Sequence, residues 1–158
     1  MGAYMTLEQL AWLSSVVSAV ALVISVIYVS IQIRHNTRAV LASAYQQVVN
    51  SFAQISFDIA KDKNLADLYL RAGQEFSSLG DVERTQYSLM LLSFLRRAEN
   101  VFFQTEIHML QNEHWFGIRD SVKAILGPPG ARDCWNEIKN RLNPKFRAFI
   151  DTLIASQR

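Results

Sequence analysis

The chain has 158 residues, room for one membrane segment and one further domain of roughly 120 residues, but not for a second independent core. Half the residues are apolar and the mean hydropathy is +0.07, yet every charged residue lies outside one early stretch, so the average blends a lipid-soluble segment with an ordinary soluble one. A net charge of +2, evenly spread, gives no dense face for neutralising phosphates, and no nucleic-acid partner is expected. The last 40 residues hold eight Lys or Arg against four Asp or Glu; this reads as a solvated helix face, with anionic lipid headgroups as the alternative contact. Cys134 is the single cysteine, so intrachain disulfides and thiolate metal clusters are excluded. A buried structural thiol in a reducing compartment is the expectation.

Leu10 to Ile33 is a run of 24 residues without Asp, Glu, Lys, Arg or His. As a helix rising 1.5 Å per residue it is about 36 Å long, enough to cross a hydrocarbon core of about 30 Å with some tilt. A charge near its centre would cost about 2.5–3.5 kcal/mol on insertion, and there is none. A cleaved signal peptide fits poorly, because only Glu8 is charged before the run, the run is too long, and Ile31-Gln32-Ile33-Arg34 offers no small-residue cleavage site. Thr6 and Gln9 have capping-box spacing, and Tyr4 and Trp12 suit a membrane interface. Arg34 and Arg38 follow the other end, so the positive-inside bias places residues 34–158 in the cytoplasm and a short N-terminus, residues 1–9, outside.

One face of the span carries Ala11, Ser14, Ser18, Ala21, Ser25, Tyr28 and Gln32, in steps of three and four, while bulky Val, Ile and Leu take the other positions. Small side chains let helix backbones approach closely in lipid, so this face predicts helix association, with chance placement as the bland alternative. A homo-oligomer and a partner membrane subunit explain it equally well. The spacing continues through His35, Ala39, Ala42, Gln46, Val49 and Ala53.

Beyond the span the periodicity predicts an all-α bundle. The first helix is expected to continue to about Asp58 or Ala60, turning Val40, Leu41, Tyr45, Val48, Val49, Phe52, Ile55 and Phe57 toward a core. A short helix from about Asn64 to Ala72 should be capped by Gly73. Asp81 can cap a long helix from Val82 to about Leu110, whose Leu89, Met90, Leu91, Leu92, Phe94 and Leu95 are apolar on nearly every side and mark the central element. A helix from about Glu113 to Leu126 should be closed by Gly127-Pro128-Pro129-Gly130, followed by one from Ala131 to Leu142. In the last helix, Asn143 is the cap, Pro144 takes the first position, and Phe146, Phe149, Ile150 and Leu153 face inward to about Ala155.

Arg96, Arg97, Glu99 and Asn100 interrupt the central helix. They read either as an ion pair that fixes helix docking or as a recess for an anionic ligand, since a guanidinium offers bidentate donors. Glu99, Glu106, His108, Glu113 and His114 lack the Glu-x-x-His repeat of a di-iron bundle and read as surface charge. No serine sits in a Gly-x-Ser-x-Gly turn and Cys134 has no histidine near it, so no catalytic residue, metal or cofactor is expected. Trp115 and Trp135 are expected to pack the domain.

Ile27, Tyr28, Gln32, Ile33, Arg34, Asn36 and Thr37 form an Ile-Tyr element leading to a Gln-Ile-Arg-x-Asn-Thr junction, and with Ser93–Gln104 and Gly127–Asp151 this resembles a widespread family of small bacterial membrane proteins that open with one span. The resemblance implies a single-span membrane protein with a helical cytoplasmic domain, and the expected location is the bacterial inner membrane; it implies no activity, cofactor or catalytic residue. If these motifs mark a shared surface, the junction residues Arg34, Asn36, Thr37 and Arg38 and the cluster at Arg96, Glu99 and Asn100 belong to it. The expected function is an interaction or scaffold protein assembling through its span, as a homo-oligomer or as an accessory subunit. The alternatives are a membrane-tethered sensor for an anionic ligand and an oligomeric channel.

Overall fold

A computed structural model describes residues 6–107, 109–110 and 112–156, without the side chains of 112–114. The readings of Tyr4, His108, Glu113 and His114 fall outside these described side chains. Six α-helices and no strand occur among the described residues: α1 Leu7–Lys61, α2 Lys63–Gln74, α3 Asp81–Glu106, α4 Asn112–Ile125, α5 Pro129–Ile138 and α6 Pro144–Ala155. One-turn 3-10 helices at Phe76–Ser78 and Lys139–Arg141 follow α2 and α5. The chain divides into two compact units, residues 1–43 and 44–158, with the boundary inside α1.

In the first unit, α1 starts with the expected capping box. The Thr6 amide donates to Gln9 Oε1 (3.2 Å) and the Gln9 amide to Thr6 Oγ1 (3.3 Å), satisfying two N–H groups that the first turn would leave open. Every side chain from Thr6 to Val40 is exposed. By length and composition α1 is able to cross a membrane.

The second unit is built around α3. Tyr87, Leu91, Phe94, Leu95, Ala98, Val101, Phe102 and Thr105 recur at helical spacing and are all buried, whereas Leu89 is 52 % exposed and Met90 and Leu92 are half-buried, so the apolar run has a solvent side after all. Phe102 gathers the far end of the core, with its ring centroid 5.6 Å from Trp115, 5.6 Å from Phe146 and 5.2 Å from Phe149. Trp135 is buried and its indole N–H donates to Asp151 (2.8 Å), tying α5 to α6. Both tryptophans therefore pack the domain.

Several boundaries differ from the sequence reading, each for a local reason. Asp62 leaves the helical region and accepts from the amides of Asn64 (2.8 Å) and Leu65 (3.3 Å), so α2 begins at Lys63. Gly73 is not a cap: it lies inside α2, buried, and the chain leaves the helix at Glu75. A Cβ at Gly73 would stand 3.6 Å from the Pro128 Cβ, an ordinary contact, so the packing there does not demand a glycine. Asp81 is the first residue of α3 rather than its cap, a position held by Gly80, and α3 stops at Glu106 instead of near Leu110. Pro129 opens α5 two residues before Ala131, and the helix closes at Ile138 with a 3-10 turn. At Gly130 an added Cβ would lie 2.1 Å from the Ala72 carbonyl oxygen, so the glycine is required where α5 docks on the end of α2. Asn143 caps α6 as read, accepting from the Lys145 amide (2.9 Å).

The largest departure lies in the second half of α1. Val48 is buried and Phe52 and Ile55 are half-buried, but Tyr45, Val49 and Phe57 are exposed, so α1 leaves much of its expected core face uncovered within this unit. Val40, expected on the same face, is exposed as well.

Candidate functional site

In the first unit, Ala11, Ser14, Ser18, Ala21, Ser25, Tyr28 and Gln32 are all exposed. Three of the five polar side chains on this face are bonded along the helix. The Ser25 hydroxyl donates to the Ala21 carbonyl (2.8 Å), and Gln32 Nε2 donates to Tyr28 Oη (3.0 Å). Off this face, Ser15 and Ser30 bond back to the Ala11 (3.0 Å) and Val26 (2.8 Å) carbonyls in the same way. Such internal bonds lower the cost of placing hydroxyls in apolar surroundings. At the junction Arg34, Asn36, Thr37 and Arg38 are exposed, and the Thr37 hydroxyl donates to the Ile33 carbonyl (2.9 Å).

The cluster on α3 divides into a docking pair and two surface residues. Glu99 is buried: one carboxylate oxygen accepts from Arg96 (2.9 Å), the other from the Asn143 amide (2.6 Å), where the chain enters α6. Arg96 also donates to the Arg141 carbonyl. A buried carboxylate thus meets the positive end of α6 and a guanidinium together, which holds α3 against the turn before α6. Arg97 instead donates to the Ser93 carbonyl (3.0 Å), and Asn100 accepts from Gln104 (3.2 Å). The depression beside Arg96, about 460 Å³, is open and includes Phe103 and Leu142.

Cys134 is fully buried beside Ser88 (3.5 Å), and burial pushes its thiol up to about 11. This is an inert structural thiol, because the nucleophilic thiolate is disfavoured.

Sequence reasoning missed a cleft in the second unit, where the uncovered part of α1 faces α2, α3 and α4. One lobe, about 250 Å³, is lined by Ile55, Ile59, Tyr69, Tyr87 and Met90 among others. A second, about 650 Å³, runs along Val49 and Phe52 of α1 and Ile118 and Ile125 of α4, and the two share Ser56, Tyr69, Phe94 and Ile125. Among the described residues no charged side chain lines either lobe. Burial raises the pKa of Tyr69 and Tyr87 above the ordinary phenol value. The signal in the sequence was Tyr45, Tyr69 and Tyr87 on otherwise apolar helix faces.

The chain matches no protein-family model, no curated protein and no solved structure, so its functional reading rests on its own residues and geometry.

Proposed function

We propose that this chain is a membrane-anchored helical interaction protein, with Leu10–Ile33 of α1 in the bilayer of a bacterial inner membrane and the second unit in the cytoplasm. The observation that carries the reading is the exposure of the first unit. Leu22 is 66 % and Ile24 61 % exposed, along a helix with no charged side chain over 24 residues. Leaving such side chains in water forfeits roughly 1.5–3 kcal/mol each, and continuous apolar surface of this kind marks contact with lipid or protein. Arg34 and Arg38 at one end support the orientation.

Within lipid the face running from Ala11 to Gln32 is the one suited to close backbone approach, so assembly proceeds through it, between copies of this chain or with another membrane subunit. Because Arg96 is engaged by Glu99 and by the Arg141 carbonyl, helix docking is favoured over capture of an anionic ligand. Light scattering of detergent-solubilised protein tests the assembly. Wild type is expected at a multiple of the 18.0 kDa chain mass. Ser18→Leu with Ser25→Leu should reduce it to a monomer, and Val17→Leu should not. A monomeric wild type removes self-assembly; companion subunits in native purification would then decide for the accessory role.

A further inference from the structure

The second unit contains a feature that anchoring and helix association do not use. Its cleft is elongated, two-lobed and uncharged, and it belongs wholly to residues 44–158. Tyr87, on its floor, is 1 % exposed, and its hydroxyl has no hydrogen-bond partner among the described residues. Among the described residues Gln104 Oε1 is the fully buried side-chain polar atom without a partner, so the Tyr87 hydroxyl opens onto the cleft, where its partner is supplied from outside the chain. Tyr69 lies beside it, the ring centroids 6.2 Å apart, likewise without such a bond among the described residues.

The lining restricts what that acceptor belongs to. A charged group entering an uncharged apolar cavity would be stranded without a partner, which costs far more than a neutral one. The serine hydroxyls are already spent on their own helices: Ser56 donates to the Phe52 carbonyl (3.5 Å) and Ser121 to the Gly117 carbonyl (2.9 Å). An extended peptide, with an amide at every residue, would find too few partners. A hydrocarbon chain with a single carbonyl at one end needs only the phenols.

We propose that the cleft between α1, α3 and α4 binds one uncharged acyl chain, whose ester or protonated carboxyl carbonyl accepts a hydrogen bond from Tyr87. Raised phenol pKa values keep both tyrosines protonated, and therefore donors, across the physiological range. The site stands whether or not α1 crosses a bilayer, because all its lining lies in the second unit.

The test uses the full chain, purified in a steroid-based detergent that carries no alkyl chain, photolysed with a diazirine-bearing monoacylglycerol and mapped by peptide mass spectrometry. Labelling of the 55–59 and 87–94 segments should saturate at one probe per chain and be displaced by unlabelled monoacylglycerol. Labelling of residues 10–33 should rise in proportion to the probe and serve as internal reference. Ile55→Trp, which fills the smaller lobe, should cut cleft labelling about tenfold or more; should it fail to fold by circular dichroism, Met90→Trp replaces it. Tyr87→Phe should weaken binding about three- to tenfold, the value of one neutral hydrogen bond. Cleft labelling that never saturates, that ignores the tryptophan variants, or that yields to a prenylated quinone or an apolar helical peptide but not to unlabelled monoacylglycerol overturns the proposal. Absence of labelling over residues 10–33 would instead count against the membrane reading alone.

Discussion

Leu22 and Ile24 in the first unit are mostly exposed, whereas Leu95, Phe146 and Ile150 in the second are completely buried, although both units are helical and rich in the same aliphatic residues. The difference lies in the polar partners of those side chains. In α3 and α6 apolar residues recur every three to four positions and leave a polar stripe for water, so the buried stripes of these helices close a core. Between Leu10 and Ile33 no charged residue interrupts any face, so no packing of this helix against its own chain would leave it a water-compatible side. Substitutions should therefore act on folding stability in the second unit and on partitioning and assembly in the first.

The sharpest contrast is steric. Gly130→Ala should cost about 4 kcal/mol or more in denaturant unfolding, since the new Cβ would meet backbone atoms of Ala72 and Phe76 that cannot step aside. Phe146→Ala should follow at about 3–5 kcal/mol, the usual loss for a fully buried aromatic ring. Ile24→Ala, a comparable truncation in the first unit, should leave the unfolding midpoint of the second unit unchanged. Glu99→Ala should cost about 1–3 kcal/mol, because it strands the Asn143 amide. Arg96→Ala should cost less, its side chain being half exposed.

Smaller effects come from titration. The folded chain holds the Cys134 thiol proton up to about pH 11, against roughly 8.5 for a free cysteine, so it binds that proton more tightly than the unfolded chain does. The resulting stabilisation is complete below about pH 8.5 and is lost as the pH climbs toward 11; Cys134→Ala should flatten the fall in unfolding midpoint between pH 8.5 and 10, below the range where Tyr87 begins to contribute. A thiol reagent should modify native Cys134 only at the rate of unfolding. The exposed Arg71–Glu83 pair (2.8 Å) lowers the Glu83 pKa, so its small contribution is present above the ordinary glutamate range and fades as the pH falls through it; Arg71→Ala should change the midpoint at neutral pH by no resolvable amount.

What was legible in the sequence follows from how local the cause is. The capping box at Thr6 and the Asn143-Pro144 start of α6 each depend on residues within one turn, and each stands as read; the Arg96–Glu99 contact is as local, but its link to the Asn143 amide is not. Gly130 was readable as helix punctuation, but its actual role is to let α5 touch the end of α2, which depends on residues more than 50 positions apart. The cleft was illegible for the same reason. The apolar face of α1 from Tyr45 to Phe57 has the pattern of a core face, and only the placement of α2, α3 and α4 reveals that much of it is left uncovered.

Carbonate extraction of membranes carrying the full chain addresses the central claim most directly. An uncharged helix dissolved in hydrocarbon has no charge contacts for high pH to break, so the protein should remain in the membrane pellet, and replacing Ile24 and Val26 with Arg should shift it toward the supernatant. Quantitative release of the wild-type chain by carbonate would contradict the account.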